Sequence, residues 1–162
     1  MTISDSYVAA RYAEIAALID DLETRTAADG RLAAHMAGYL DVLVVGLVED
    51  AIEHLLGERA ARTGDAEIAS YVRNRVAGAF RNPDWGAISG LLGQLSSKYK
   101  TQFASQIPSE GQVSETLRSL LANKHASAHV GTTNLYLTIP DIRNYLQRLE
   151  ELFESVESIL LP

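Results

Sequence analysis

The stretch "GYLDVLVVGLVEDAI", Gly38 to Ile52, decides the fold. Wound at 3.6 residues per turn it is apolar nearly all round between Tyr39 and Val48, the mark of a helix enclosed by other helices rather than one with a wet face. Asp41, Glu49 and Asp50 interrupt it, and on that ground it reads as too short and too charged for a bilayer span and better as a buried helix. The apolar period continues on both sides, predicting a central helix from about Arg31, after Asp29-Gly30, to Arg62, before Thr63-Gly64.

Around that helix the chain repeats helical periods. From Ser6 to about Thr24, Tyr7, Val8, Tyr12, Ile15, Ile19 and Leu22 recur at three- and four-residue steps, with Ser4 or Asp5 as N-cap. Asp65 opens "DAEIASYVRNRVAGAF", which stops near "RNPDWG", where Asn82-Pro83 is a turn. "DWGAISGLLGQLSSKYKTQFASQI" reads as one helix closed by Pro108, and Ser109 or Ser114 begins the next, ending near Gly131. "TTNLYLT" has strand-like composition but no second strand to pair with, so it is expected as an extended loop. Thr138 then caps a final helix with Pro140 in its first turn and Ile142, Tyr145, Leu146, Leu149, Leu152, Phe153, Val156 and Ile159 on one stripe. The expected fold is an all-α, up-and-down bundle of about five or six helices in one domain spanning residues 1–162.

Composition narrows the partners. A chain of 162 residues with 47% apolar and 22% charged residues matches a globular domain rather than a disordered or membrane protein. No basic leader precedes the first amphipathic segment, and there are no cysteines, so a cytoplasmic protein without disulfides or thiolate metal sites is expected. A net charge of −7 argues against a broad phosphate-binding surface for duplex nucleic acid, so any polyanion site must be local. Between Lys98 and Gln147 the balance reverses: Lys98, Lys100, Arg118, Lys124 and Arg143 face only Glu110, Glu115 and Asp141.

That weakly basic segment holds "LLANKHASAHVG", with two of the four histidines. His125 and His129 fall one helical turn apart, beside Lys124. Three chemistries use such a run. Two histidines at this spacing suit zinc, but they need a third ligand, and no His-Glu-x-x-His pattern supplies one; a distant carboxylate such as Glu49 would have to. Two imidazoles also suit acid–base cleavage of a phosphodiester, since an unperturbed pKa of about 6.5 lets one accept a proton and the other donate one. Lys124 would then stabilise the crowded phosphate. The plainest account is that a helix C-terminus favours Lys and His against the negative end of its dipole. Elsewhere, a carboxylate inside so apolar a helix is costly without a partner, so Glu49 is expected to pair with a basic group from another helix. His35 and His54 read as structural, His54 pairing with Asp50 one turn earlier. No Walker or Gly-x-Ser-x-Gly pattern is present.

Taken together, "GLVE" at Gly46 to Glu49, "NPDWGAISGLL" and "KHASAHVG" resemble the HEPN superfamily, in particular its RiboL-PSP-type branch, over most of the chain. Against the family's Arg-polar-x-x-Ala-His-Gly signature, Lys124 stands at the arginine, His125 at the polar position, Ala128 at the alanine and His129 at the histidine, with Val130 intervening before Gly131. The resemblance implies a homodimer whose two motifs form one composite, metal-independent endoribonuclease site, without a cofactor. Such domains serve in toxin–antitoxin and antiphage systems, so RNA and an antitoxin or defence-system protein are the implied partners. In that scheme His129 is the acid–base residue, Lys124 contacts the scissile phosphate, and His125 and Glu49 complete the site. Some members of the superfamily are non-catalytic and bind RNA or proteins instead, the alternative that lysine in place of arginine favours.

Overall fold

The computed structural model describes residues 3–76, 80–130 and 137–162, with only the backbone described for 125–130. Seven α-helices account for nearly all of it: α1 (Ser6–Thr26), α2 (Gly30–Ala61), α3 (Ala66–Val76), α4 (Trp85–Leu95), α5 (Ser97–Gln106), α6 (Gln112–Val130) and α7 (Ile139–Leu160). An all-α bundle is what the periodicity predicts. The "TTNLYLT" loop falls almost wholly outside the described residues.

The count exceeds five or six because the segment read as one helix after Asp84 is two. Ser96 leaves the helix at φ −163°, and its hydroxyl accepts the backbone N–H of Lys98 to cap α5. A serine offers the backbone this local alternative to continuing a helix. The resulting α4–α5 hairpin is held by Trp85, whose Nε1–H donates to the Ile107 carbonyl at 2.7 Å and whose ring tilts against Phe103.

Caps set the ends of the other helices. The Asp5 carboxylate accepts the N–H groups of Tyr7 and Val8, and that of Asp29 accepts those of Arg31 and Leu32. Beyond the end of α2, Gly64 adopts φ +75°, a left-handed conformation that costs glycine nothing and lets the chain reverse into α3. Thr138 and Asp141 form a reciprocal capping box at the start of α7, with Pro140 in the first turn.

By length and mean hydropathy alone α2 would pass for a membrane-crossing helix, so its carboxylates do not by themselves decide against a span. Here α1, α3, α6 and α7 pack around it. Leu40, Val44, Val48, Ile52 and Leu55 are sealed from solvent, and they share one continuous core with Ile19 of α1 and Phe153 of α7. Polar contacts fix the helix directions. Tyr12 donates to Glu150 at 2.5 Å, and Arg143 pairs with Asp20 and Glu23, so α7 runs antiparallel to α1. Burial and the Glu150 carboxylate push the Tyr12 phenol well above its ordinary pKa. Asp5, at the start of α1, meets His54 near the end of α2 at 3.1 Å, making those two helices antiparallel as well. Ser155, near the end of α7, donates to Gln106 just before α6, so α6 begins at the end of the bundle where α2 and α7 finish and runs opposite to α2.

The His54–Asp5 contact corrects the reading of His54 as an Asp50 partner. Its ring also stacks on Tyr7 at 4.4 Å, whereas Asp50 lies 4.0 Å from the Arg11 guanidinium. A core helix obtains its partners from the helix packed against it in preference to its own next turn.

The Thr138 capping box anchors the helix that follows the histidine-bearing segment. Thr138→Ala is expected to lower the unfolding free energy by about 1 kcal/mol. The readout is a lower urea midpoint at unchanged slope, with Thr138→Ser keeping most of the loss from appearing.

Candidate functional site

Three of the sequence elements singled out above meet on one carboxylate. Glu49, four-fifths of the way along the apolar core of α2, is largely buried, and its Oε1 accepts two hydrogen bonds. One comes from Lys124 Nζ on α6 at 3.3 Å, the other from the backbone N–H of Asn82 at 3.1 Å. Glu49 thus ties the "GLVE" helix both to the "NP-x-W" turn and to the lysine of "KHASAH".

Each contact has a local cause. Asn82 takes φ +54°, a left-handed conformation that asparagine tolerates better than most residues, and this turns its N–H toward α2 while Pro83 sends the chain into α4. The next N–H donors are used within the turn: that of Asp84 bonds to the Asn82 carbonyl, and the Asp84 carboxylate caps α4 at Ala87. Lys124 is about one-quarter exposed, and its ammonium meets Glu49 between α6 and α2. A half-buried pair with one further N–H donor on the carboxylate loses less to desolvation than a bare pair would.

A second carboxylate belongs to the same seam. Asp41 is 1% exposed, and neither of its oxygens has a hydrogen-bond partner among the described residues. Burial pushes its pKa up to about 7, and the nearby Lys124 ammonium pulls in the other direction. Near neutral pH Asp41 therefore retains its proton far more readily than an exposed aspartate does. The Asn123 amide, beside Lys124, donates to the Ser119 carbonyl and leaves its buried oxygen unpaired among the described residues. Because α6 runs antiparallel to α2, the residues after Lys124 run back along α2 in the direction of Asp41.

Sequence reasoning missed Asp41, which it treated only as an interruption of an apolar run. The signal was present: Asp41 falls on the stripe Ala37, Val44, Val48, Ile52 and Leu55, which is the face of α2 turned to the core. Of the four residues assigned to the site, the structure joins Glu49 and Lys124. His125 and His129 lie in the last turns of α6, and their side chains are outside the described residues.

Beside the pair, a cleft of about 550 Å³ separates the Asn82–Gly86 turn from α6, with Trp85, Ser114, Arg118 and Leu121 on its walls. Asp84 and Glu110 also line it, so Arg118 does not give it a purely cationic character. Along α6 its lining runs from Ser114 to Ala122, two residues short of Lys124.

The Asp41 environment sets a pH dependence with a definite sign. The folded state holds the proton up to about pH 7, whereas an unfolded aspartate releases it near 3.8. Between those values the native state binds more protons, so stability falls as pH rises, by about 1.4 kcal/mol per pH unit and about 4 kcal/mol in all. Asp41→Asn, which imitates the protonated acid, removes this dependence. Its stability relative to wild type is expected to climb from pH 4 to pH 8 and then level off in urea titrations. A difference that stays flat over that range would show that Asp41 ionises freely.

The chain matches no family model, no curated protein and no solved structure.

Proposed function

We propose that this protein is a HEPN-like, metal-independent endoribonuclease of the cytoplasm, acting as a homodimer in a toxin–antitoxin or antiphage setting. The observation that carries the reading is the convergence on Glu49 of the Asn82 turn and Lys124, because it brings together the three segments that resemble the family although they are far apart in sequence. Lys124 leads directly into the turns of α6 that hold His125 and His129.

The chemistry follows from those groups. A ribose 2′-oxygen attacks the adjacent phosphorus and gives up its proton to one imidazole. The bond from phosphorus to the 5′-oxygen breaks, and a second imidazole protonates the leaving oxygen. The products are a 2′,3′-cyclic phosphate and a 5′-hydroxyl. His129 from each of two copies supplies the two proton transfers, and Lys124 supplies positive charge to the phosphate. Glu49 holds Lys124 in place and is a positioning residue.

A second copy has a suitable surface to bind. Leu32, His35, Tyr39 and Val42 form an exposed stripe on α2, with Tyr39 52% and Val42 46% accessible. Gly46 continues it, with nothing within 4 Å of where a Cβ would stand, and Glu49 lies at its edge. A two-fold contact along this stripe would set two Glu49–Lys124 pairs beside each other, as a composite site requires.

One observation favours the alternative, a catalytically degenerate HEPN domain that binds RNA or a protein partner. The Lys124 ammonium is already engaged by Glu49, and a lysine cannot clamp phosphate bidentately as arginine does.

Two experiments decide between these. His129→Ala is expected to lose on the order of 100-fold or more in cleavage of single-stranded RNA with the fold intact. Lys124→Arg should keep or raise activity, and EDTA should change neither protein. Wild type and Lys124→Arg both silent toward RNA would leave the binding module as the reading, while loss of activity in EDTA would point to metal. Separately, Tyr39→Glu is expected to convert a two-chain mass in light scattering at micromolar concentration to that of one chain. A wild type that is already a single chain would remove the composite site.

A further inference from the structure

Half of the chain's 14 basic residues lie between Arg59 and Lys100, together with only three of its 21 acidic ones, Asp65, Glu67 and Asp84. The structure gathers them round the last two turns of α2. Arg62 is the C-cap of that helix. α3 packs on one side of it, with Arg73 Cγ 3.3 Å from where a Gly57 Cβ would stand. α5 reaches another side, where the Arg59 guanidinium lies 5.8 Å from the centre of the Tyr99 ring. Asp65 and Asp84 are used in capping: the first accepts the N–H groups of Glu67 and Ile68, the second that of Ala87. Arg59 is committed to Tyr99, and Arg81 has a contact of its own. That leaves Arg62, Arg73, Arg75, Lys98 and Lys100, all exposed and none in an ion pair among the described residues. On α1 and α7, by contrast, Arg11, Arg25 and Arg143 pair with Glu14, Asp21 and Asp20.

Helix dipoles do not account for the set. Arg62, Arg73 and Arg75 stand at the C-terminal ends of α2 and α3, where cations are favoured. Lys98 and Lys100 stand at the start of α5, whose first turn has no acidic residue, so they face the positive end of a dipole. Cations gathered in this way, without counter-charges, cost stability that a bound polyanion would offset. Tyr71 adds an aromatic surface: it is 68% exposed and one turn before Arg75, on the side of α3 that borders the recess between α3 and α4. An exposed ring beside cations is a stacking platform for an unpaired base, whereas a duplex hides its base faces. We propose that this belt round the end of α2 binds single-stranded RNA, its phosphates on Arg62, Arg73, Arg75, Lys98 and Lys100 and one base on Tyr71. The choice of RNA rests on the ribonuclease reading; the belt itself uses none of the residues assigned to cleavage.

The test is fluorescence anisotropy of the whole chain, carrying His129→Ala so that the probe stays intact, with a labelled single-stranded RNA of about 12 nucleotides across a salt series. Combining Arg73→Gln, Arg75→Gln, Lys98→Gln and Lys100→Gln is expected to weaken binding on the order of 100-fold. The slope of log affinity against log salt should fall by about 3, since each phosphate contact on a single strand contributes about 0.7. Tyr71→Ala should weaken binding about fivefold or more with the slope unchanged. Lys98→Gln with Lys100→Gln should leave circular dichroism and the urea midpoint intact or improved, because it relieves the start of α5. Arg25→Gln with Arg148→Gln, which lowers net charge by the same amount as that pair but on α1 and α7, should change affinity less than the pair does. An equal loss there would overturn the proposal, as would RNA that does not bind, RNA bound indifferently to the four substitutions, or polyglutamate that binds where RNA does not. Cleavage is measured separately in the chain with His129 restored. RNA held by the belt but never cut would sustain the belt and remove the ribonuclease reading; RNA cut with a KM indifferent to the four substitutions would do the reverse.

Discussion

A helix of 32 residues that is apolar on most sides has to be wrapped, and the rest of the bundle is arranged to do so. Once α1, α3, α6 and α7 enclose α2, each polar group on it must find an answer from a neighbouring helix or give up its charge. Three different answers are used. His54, near one end, meets Asp5, the same carboxylate that caps α1. Glu49, at the edge of the buried face, takes an ammonium and a backbone N–H from two other segments. Asp41, at the centre of the buried face, has no such partner among the described residues and holds a proton into the neutral range instead. The depth of each group in the core orders the three outcomes.

Much of this was legible before any coordinates, because burial can be read from periodicity. The apolar surroundings of Glu49 implied a cationic partner from another helix, and Lys124 of α6 is that partner. The central position of Asp41 was equally implied by its place between Ala37 and Val44, had the carboxylates been sorted by helical face rather than counted as interruptions. Other features depend on information that a local pattern does not carry. The break at Ser96 turns on one hydroxyl capturing one N–H within a segment whose apolar spacing is helical throughout. The pairing of His54 spans 49 residues of sequence, while the i−4 neighbour that a sequence suggests was only the nearest carboxylate available. The Asn82 contribution is a backbone donor, which any residue other than proline would carry, so only the turn that aims it gives it meaning.

Charge divides the surface in a way that net charge conceals. The Glu49–Lys124 pair is neutral as a unit, and Asp41 adds at most a partial negative charge near pH 7. The cleft beside it mixes Arg118 with Asp84 and Glu110. The positive character that a polyanion would sense is therefore not concentrated at the lysine of the motif.

The two cavities are not independent, because the short segment from Arg81 to Gly86 stands between them. Arg81 faces the recess between α3 and α4; Asn82, Asp84 and Trp85 face the cleft along α6; and Gly86 borders both. One end of this partition is fixed by the Asn82 N–H on Glu49, and the other by the Trp85 indole on Ile107. Arg81, Asn82, Asp84 and Gly86 are exposed, so these two hydrogen bonds, more than close packing, hold the segment in place. Glu49 therefore does more than neutralise Lys124: through Asn82 it also holds one end of the turn that borders both cavities.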